Sequence, residues 1–451
     1  MSDPTRSDPP SGAGSAGGSA KPGRRTLLAL AAAAAAGGVG VIAKTVWSRN
    51  RGGARRAAAS PELAVRGLPV AIPFHGELAE VVPVEQTRKL LTTLLPCWIQ
   101  AVKVGNLLHA YRLWGPQARF PTEVFTRPFD TPLFSGQDME RTFLDSKGFE
   151  KTFPLDLPLL MSYPDGIVVR TGYTAIQGGH MGALVHPDNV LRTFAELGYS
   201  SEIPVVAMKG DVRAVDGKLS VGDLVQGTIG DIVRGSVAYF DPEQELEWTV
   251  EALARYLAPQ STWTNRFGHG YSLDELAERL VETPLGVGSC LGLHVPYALV
   301  CLYRIDQEHR ILSDSAREKV EEHFRSRSRG LELKQNSDGM FFQDNDPLWS
   351  GKQDPHEDRS KWLSTNELTV LSHHLDWIAL APEGLRPKRE TVQRAVEAML
   401  RGLEPWTMYV RSADYAPLSH AGSSLCGLLG RSATDVVFQG REGNGGKRGV
   451  Q

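Results

Sequence analysis

From about residue 84 onward, apolar residues recur at helical spacing. Leu90, Leu91, Leu94, Leu95 and Trp98 fall on one stripe at 3.6 residues per turn and predict a long first helix ending near Trp114. Over 115–183 this pattern fails, because Pro116, Pro121, Pro128, Pro132, Pro154, Pro158 and Pro164 interrupt every candidate element. That stretch reads as irregular, with short strands. Asp188 is placed to cap a helix over 189–197, and 205–219 reads as a small β-hairpin turning at Asp216-Gly217. Beyond it the spacing predicts helices near 220–234, 243–258, 272–282, 290–304, 312–327, 365–381 and 388–402. The clearest stripes are Leu273, Leu276, Ala277, Leu280 and Val281, and later Val392, Ala395, Val396, Met399, Leu400 and Leu403. Each implies a helix that buries one side only. The expected fold class is therefore mainly α, with the irregular Pro/Gly-rich insertion at 115–219 and a small β-hairpin.

Helical hairpins in this number can close into an α/α toroid around a central cavity or extend as an open solenoid. Gln335-Asn336-Ser337-Asp338-Gly339-Met340-Phe341 resembles the inter-helix turn of the terpenoid cyclase and protein prenyltransferase-like toroids. Ser372-His373-His374-Leu375-Asp376-Trp377 is similar to the Gly-His-x-x-Glu helix start of the N-acylglucosamine 2-epimerase-like toroids, with Ser in place of Gly and Asp in place of Glu. The resemblance implies a toroid domain over 71–440. For the second family it also implies a His acting on a sugar, here His373.

The first 70 residues differ from the rest. Residues 1–23 are rich in Ser, Gly, Pro and Ala, a composition that cannot bury enough surface to offset ordering entropy, and they are expected to be a disordered tail, as are 441–451. Arg24 and Arg25 precede an uncharged alanine-rich run to Ala43, which as a helix would span about 27 Å. The run over 24–43 reads as a transmembrane signal-anchor or an export signal of twin-arginine type, and 44–70 as a flexible basic linker. These features place the body outside the cytoplasm, tethered to the membrane or exported. Lys and Arg flank the run on both sides, so positive charge does not orient it. A net charge of −3 gives no reason to expect nucleic acid as a partner. The four cysteines form no CxxC pair, so neither a zinc ribbon nor a disulfide scaffold is indicated, and one or two disulfides stay open for a body outside the cytoplasm.

Two groups of residues could carry chemistry. On a helix, Cys290, His294, Tyr297 and Cys301 share one face. Cys290 and His294, one turn apart, are good zinc ligands or equally a nucleophile and its base. Pro296 lacks an N–H, so a helix starting nearby would leave Cys290 and His294 in the loop that feeds it. On the 365–381 helix, His373 and Asp376 are the candidate catalytic pair, with Trp377 beside them to stack on a ring-bearing ligand. His374 reads as a core histidine. The loop from Trp263 to Gly270, including His269, would rim the site, with Trp263, His269 and Tyr297 as further ligand-binding candidates. The expectation is a protein that binds or acts on a carbohydrate or isoprenoid-like ligand, with zinc as the possible cofactor. The alternative is a non-catalytic helical scaffold for a protein partner.

Overall fold

The helices of this protein sort into two kinds by how much of their circumference is covered. In the computed structural model, the helix His294–His309 buries nearly every side chain from His294 to Asp306, and Thr365–Leu380 and Tyr415–Leu429 are covered to a similar extent. By contrast, Asp314–Lys334 buries a single stripe of Ala316, Val320, Phe324, Ser328 and Leu331. A helix apolar on all sides belongs inside a fold, and one with a single stripe belongs on its outside.

The structure describes residues 63–97, 103–120, 134–153, 158–171, 186–209, 213–215, 218–220, 222–284, 289–341, 363, 365–403 and 415–438. Their elements in chain order begin with α1 (Val84–Thr93), α2 (Val104–Trp114), α3 (Gly136–Leu144), α4 (Ser146–Thr152), β1 (Leu160–Tyr163), β2 (Gly166–Val169) and α5 (Asn189–Glu196). There follow β3 (Pro204–Lys209), β4 (Arg213–Val215), β5 (Lys218–Ser220), β6 (Leu224–Thr228), α6 (Ile229–Ala238), α7 (Leu246–Leu257), β7 (Thr262–Thr264) and β8 (Gly270–Ser272). The remainder is α8 (Leu273–Glu282), α9 (His294–His309), α10 (Asp314–Lys334), α11 (Thr365–Leu380), α12 (Arg389–Leu403), α13 (Tyr415–Leu429) and α14 (Ala433–Phe438).

The fold is mainly helical with a small sheet, as the sequence pattern implies. Within the main unit, α2 packs against α5, α5 against α7, α7 against α9, α9 against α11, α11 against α13, and α13 back against α2. The one-sided helices lie against this set: α8 on α7 and α9, α10 on α8 and α9, α12 on α11, and α1 on α13. Close approach of α13 to α1 depends on Gly422, where an added Cβ would stand 3.1 Å from the side chains of Leu91 and Leu94. The sheet has the order β2-β1-β3-β6, with β1 parallel to β3 and the outer pairs antiparallel. The β4–β5 hairpin belongs to a separate small unit. Its strands pair as Val215 with Lys218, whereas residues 205–209 of the hairpin expected over 205–219 belong instead to β3 of the sheet, and the expected turn residues Asp216 and Gly217 lie outside the described residues.

Several expectations are corrected. The expected transmembrane helix is unsupported: no helix among the described residues is long and apolar enough to cross a membrane. The run at 24–43, both tails and Trp98 lie outside the described residues. The first helix is two, α1 and α2, because Pro96 has no N–H to continue the ladder. The 220–234 helix begins only at Ile229, with β6 in front of it, and Thr228 and Asp231 form a capping box at that start. The stretch 115–183, expected to be irregular with short strands, contains two helices among its described residues, α3 and α4, each with a side-chain N-cap, at Ser135 and Asp145. Asp188 stands before α5 but does not cap it; its carboxylate accepts hydrogen bonds from Ser236 and Thr249 instead.

Candidate metal centre

Pro296 sets the local geometry. Proline is tolerated in the first turn of a helix, where its missing N–H has no intrahelical partner to lose, and α9 starts at His294. Cys290 is left in the short 3₁₀ turn Ser289–Gly292. There it takes a left-handed backbone conformation, φ +46°, which non-glycine residues adopt only when their surroundings hold them there. The helical face expected to join Cys290, His294, Tyr297 and Cys301 therefore exists only from His294 onward.

Cys290 and His294 nevertheless converge with two further histidines. Suitable donor atoms of Cys290, His294, His373 and His420 all lie within 4.8 Å of one another. His294 comes from α9, His373 from α11 and His420 from α13, three helices that follow one another in the packing order. The rings are in contact, with centroids 4.3 Å apart for His294 and His373 and 4.0 Å for His373 and His420. His109 of α2 adds an edge-on contact to His420 at 4.7 Å.

Asp376, one turn beyond His373, orders this group. Its Oδ2 atom faces Nδ1 of His373 at 3.4 Å and Nδ1 of His420 at 3.5 Å. On both rings Nε2 is buried and without a hydrogen-bond partner. A carboxylate at Nδ1 with Nε2 left open is the arrangement by which outer carboxylates orient metal-bound imidazoles. Burial holds His294 and His420 well below the ordinary histidine range, and lowers His373 too, although Asp376 pulls the other way. His109 is brought down to about 3, also chiefly by burial. These rings are neutral at pH 7, the form that ligates metals. Burial, reinforced by Glu245 and Glu247, pushes the Cys290 thiol up to about 12, so its thiolate needs a cation beside it.

Three histidines and a cysteine make a donor set suited to zinc. Bond lengths of about 2.0–2.3 Å place the donors of a tetrahedral zinc roughly 3.3–3.7 Å apart. The observed spread would need to contract by about 1 Å to close on an ion. The residues thus could hold a metal ion.

A buried ionic network adjoins the cluster. Arg112 makes two hydrogen bonds to Glu196, and Arg192 donates to both Glu196 and Glu251. Arg255 donates to Glu251, and Tyr297 donates its hydroxyl proton to Glu196. Burial works against ionisation of Glu196, yet Arg112 and Arg192 hold it down to about 2. Trp248 links network and cluster: the Arg192 guanidinium lies 4.8 Å from its ring, and its ring lies 4.1 Å from His294.

The remaining expected site residues lie apart. Trp377, expected beside His373 on the cavity side, is completely buried against Phe324 of α10 and donates to Nδ1 of His374. The expectation of a hollow lined by His373, Asp376 and Trp377 therefore changes: all three are buried, and Trp377 faces the outer layer. His374 is the core histidine its position suggests, edge-on to Phe341. Trp263 packs with Phe240 and Tyr271 at the β7–β8 hairpin, and His269 is exposed at its tip. Tyr297 alone of the ligand-binding candidates adjoins the cluster, beneath Arg112 and Arg192. His420 and His109 were not legible as site residues. The signal available for His420 was a histidine in the unassigned apolar stretch 415–429.

Comparison with protein-family models, with curated proteins and with solved structures gives no match. The resemblance to terpenoid cyclase-like and epimerase-like proteins gains no support from it.

Proposed function

We propose that this protein is a metalloprotein that holds one zinc-like divalent ion between Cys290, His294, His373 and His420. The observation that carries this reading is the convergence of their donor atoms within 4.8 Å, with His373 and His420 both turned by Asp376 so that buried Nε2 atoms are left open. Burying several imidazoles together without acceptors is costly unless something replaces the lost hydrogen bonds, and a metal ion does so. We read the successive packing of α2, α5, α7, α9, α11 and α13 as a ring of helices that gathers these donors from distant parts of the chain.

His373 and Asp376 then take roles different from acid and base: the first is a ligand and the second orients it. The ion would make a thiolate of Cys290 and supply Lewis acidity at a buried point flanked by arginines. The test is elemental analysis of the full chain after reconstitution with zinc and removal of excess ion. One equivalent per chain is expected, falling to near zero in H373A and H420A variants that keep the parent's circular dichroism. A parent chain retaining no transition metal would overturn the reading.

A further inference from the structure

Arg192 is 1% exposed, and its Nη1 group has no hydrogen-bond partner, although Nε and Nη2 are both engaged by glutamates. Trp248, 2% exposed, likewise keeps an unpartnered Nε1–H. The two side chains are stacked on one another, and Trp248 lies against His294. A buried guanidinium donor with nothing to donate to is among the costlier defects a fold can carry, so the site calls for an acceptor.

Charge points to the kind of acceptor. The network contains three guanidinium groups, Arg112, Arg192 and Arg255, against two carboxylates, Glu196 and Glu251. Cys301, 3.8 Å from Arg255, has its thiol pushed well above the ordinary range by burial, so it stays neutral and does not balance the third arginine. A divalent ion bound by the Cys290 thiolate beside Asp376 would be neutral as a unit. Glu245 and Glu247 lie toward Cys290, whose thiol they raise, and neither is among the groups acting most on Arg192. With Asp376, which also acts on Arg112, counted against the ion, one positive charge next to the histidines is left over.

We propose that Arg192 Nη1 and Trp248 Nε1 form a subsite for the anionic oxygens of a small molecule, a carboxylate or a phosphate group, bound next to the metal centre. The inference rests on the metal reading for what lies beside the subsite, but the donors belong to the protein alone. The bonds from Nε and Nη2 to glutamates hold the guanidinium, and the Trp248 ring packs over it 4.8 Å from its carbon, so the free Nη1 group needs no further ordering. A ligand held there by its anionic group would have its adjoining atoms next to the ion.

The experiment titrates the full chain, loaded with one equivalent of zinc, with inorganic phosphate in one arm and acetate in the other, by calorimetry and thermal shift. One equivalent of at least one anion is expected, with affinity reduced tenfold or more in W248F and in R192K and zinc content unchanged in both. W248F removes the indole donor and keeps an aromatic ring beside Arg192 and His294, so it remains informative if R192K fails to fold. Binding of neither anion to a zinc-loaded chain would overturn the subsite, as would binding that W248F leaves unaltered. Metal content measured on the same samples keeps the two readings separate. A chain that retains no zinc but still binds phosphate through Trp248 overturns the metal reading alone.

Discussion

The carboxylate of Asp376 faces Nδ1 of His373 at 3.4 Å from one turn further along the same helix. Helical spacing alone secures this contact, because residues three apart stand one above the other. The same Oδ2 atom lies 3.5 Å from Nδ1 of His420, so one carboxylate faces two rings on two helices.

Asp376→Asn should keep the fold and the four donors while weakening metal binding by about 10–100-fold, the usual effect of losing an outer carboxylate. Competition with a chromophoric chelator measures this directly. A change of less than twofold would mean that Asp376 does not orient the ligands.

Stripping the ion with a strong chelator should lower the melting temperature of the parent and leave that of H420A nearly unchanged, since anything that binds the folded state stabilises it by mass action. At free zinc 100 times its dissociation constant the stabilisation is about 2.7 kcal/mol. Differential scanning calorimetry at several zinc concentrations would show the dependence.

Glu196 gives a pH signature independent of the metal. Its carboxyl is held down to about 2 in the folded chain by Arg112 and Arg192, below its unfolded value near 4.5. The unfolded state therefore binds a proton first on acidification. Stability from this group is complete above about pH 4.5 and is lost as pH falls toward 2, by up to about 1.4 kcal/mol per pH unit. In Glu196→Gln that part of the acid dependence should vanish, and urea midpoints between pH 5 and 3 would fall less steeply than the parent's.

Two glycines should respond to alanine with opposite signs. At Gly235 of α6 an added Cβ would stand 2.1 Å from the backbone oxygen of Ile167 in β2, so Gly235→Ala must push helix and sheet apart. A loss of roughly 1–3 kcal/mol is expected. At Gly330 of α10 nothing lies within 4 Å, and Gly330→Ala should stabilise by about 0.5–1 kcal/mol through its helix preference. Thermal melts of the two variants test both.

The outer helices α8 and α12 are read closely from their stripes. The stripe Leu273, Leu276, Ala277 and Leu280 marks α8 within a residue of its observed ends, and Val392 to Leu403 does the same for α12. Of the inner helices that carry the histidines, α11 is read at 365–381 to within a residue, but Tyr415–Leu429 is not assigned, since a segment buried on all sides has no polar face to give its period away. Tyr415–Leu429 shows this best. It carries Pro417, Gly422 and Gly427, but the proline falls in the first turn and Gly422 is where α1 approaches closely. His420 was lost with that helix. Cys290, His294, His373 and Asp376 could each be named from neighbouring residues, but their meeting depends on contacts between helices far apart in sequence, which no local spacing encodes.

The order of the donors along the chain has a consequence for biosynthesis. Cys290, His294 and His373 emerge from a ribosome before His420, which rides on the last long helix of the described residues. Domains form from the N-terminus as they are made, so a nascent chain halted short of Tyr415 offers an incomplete set of donors. An ion arriving late would act as a seal on a finished chain rather than a seed for its collapse.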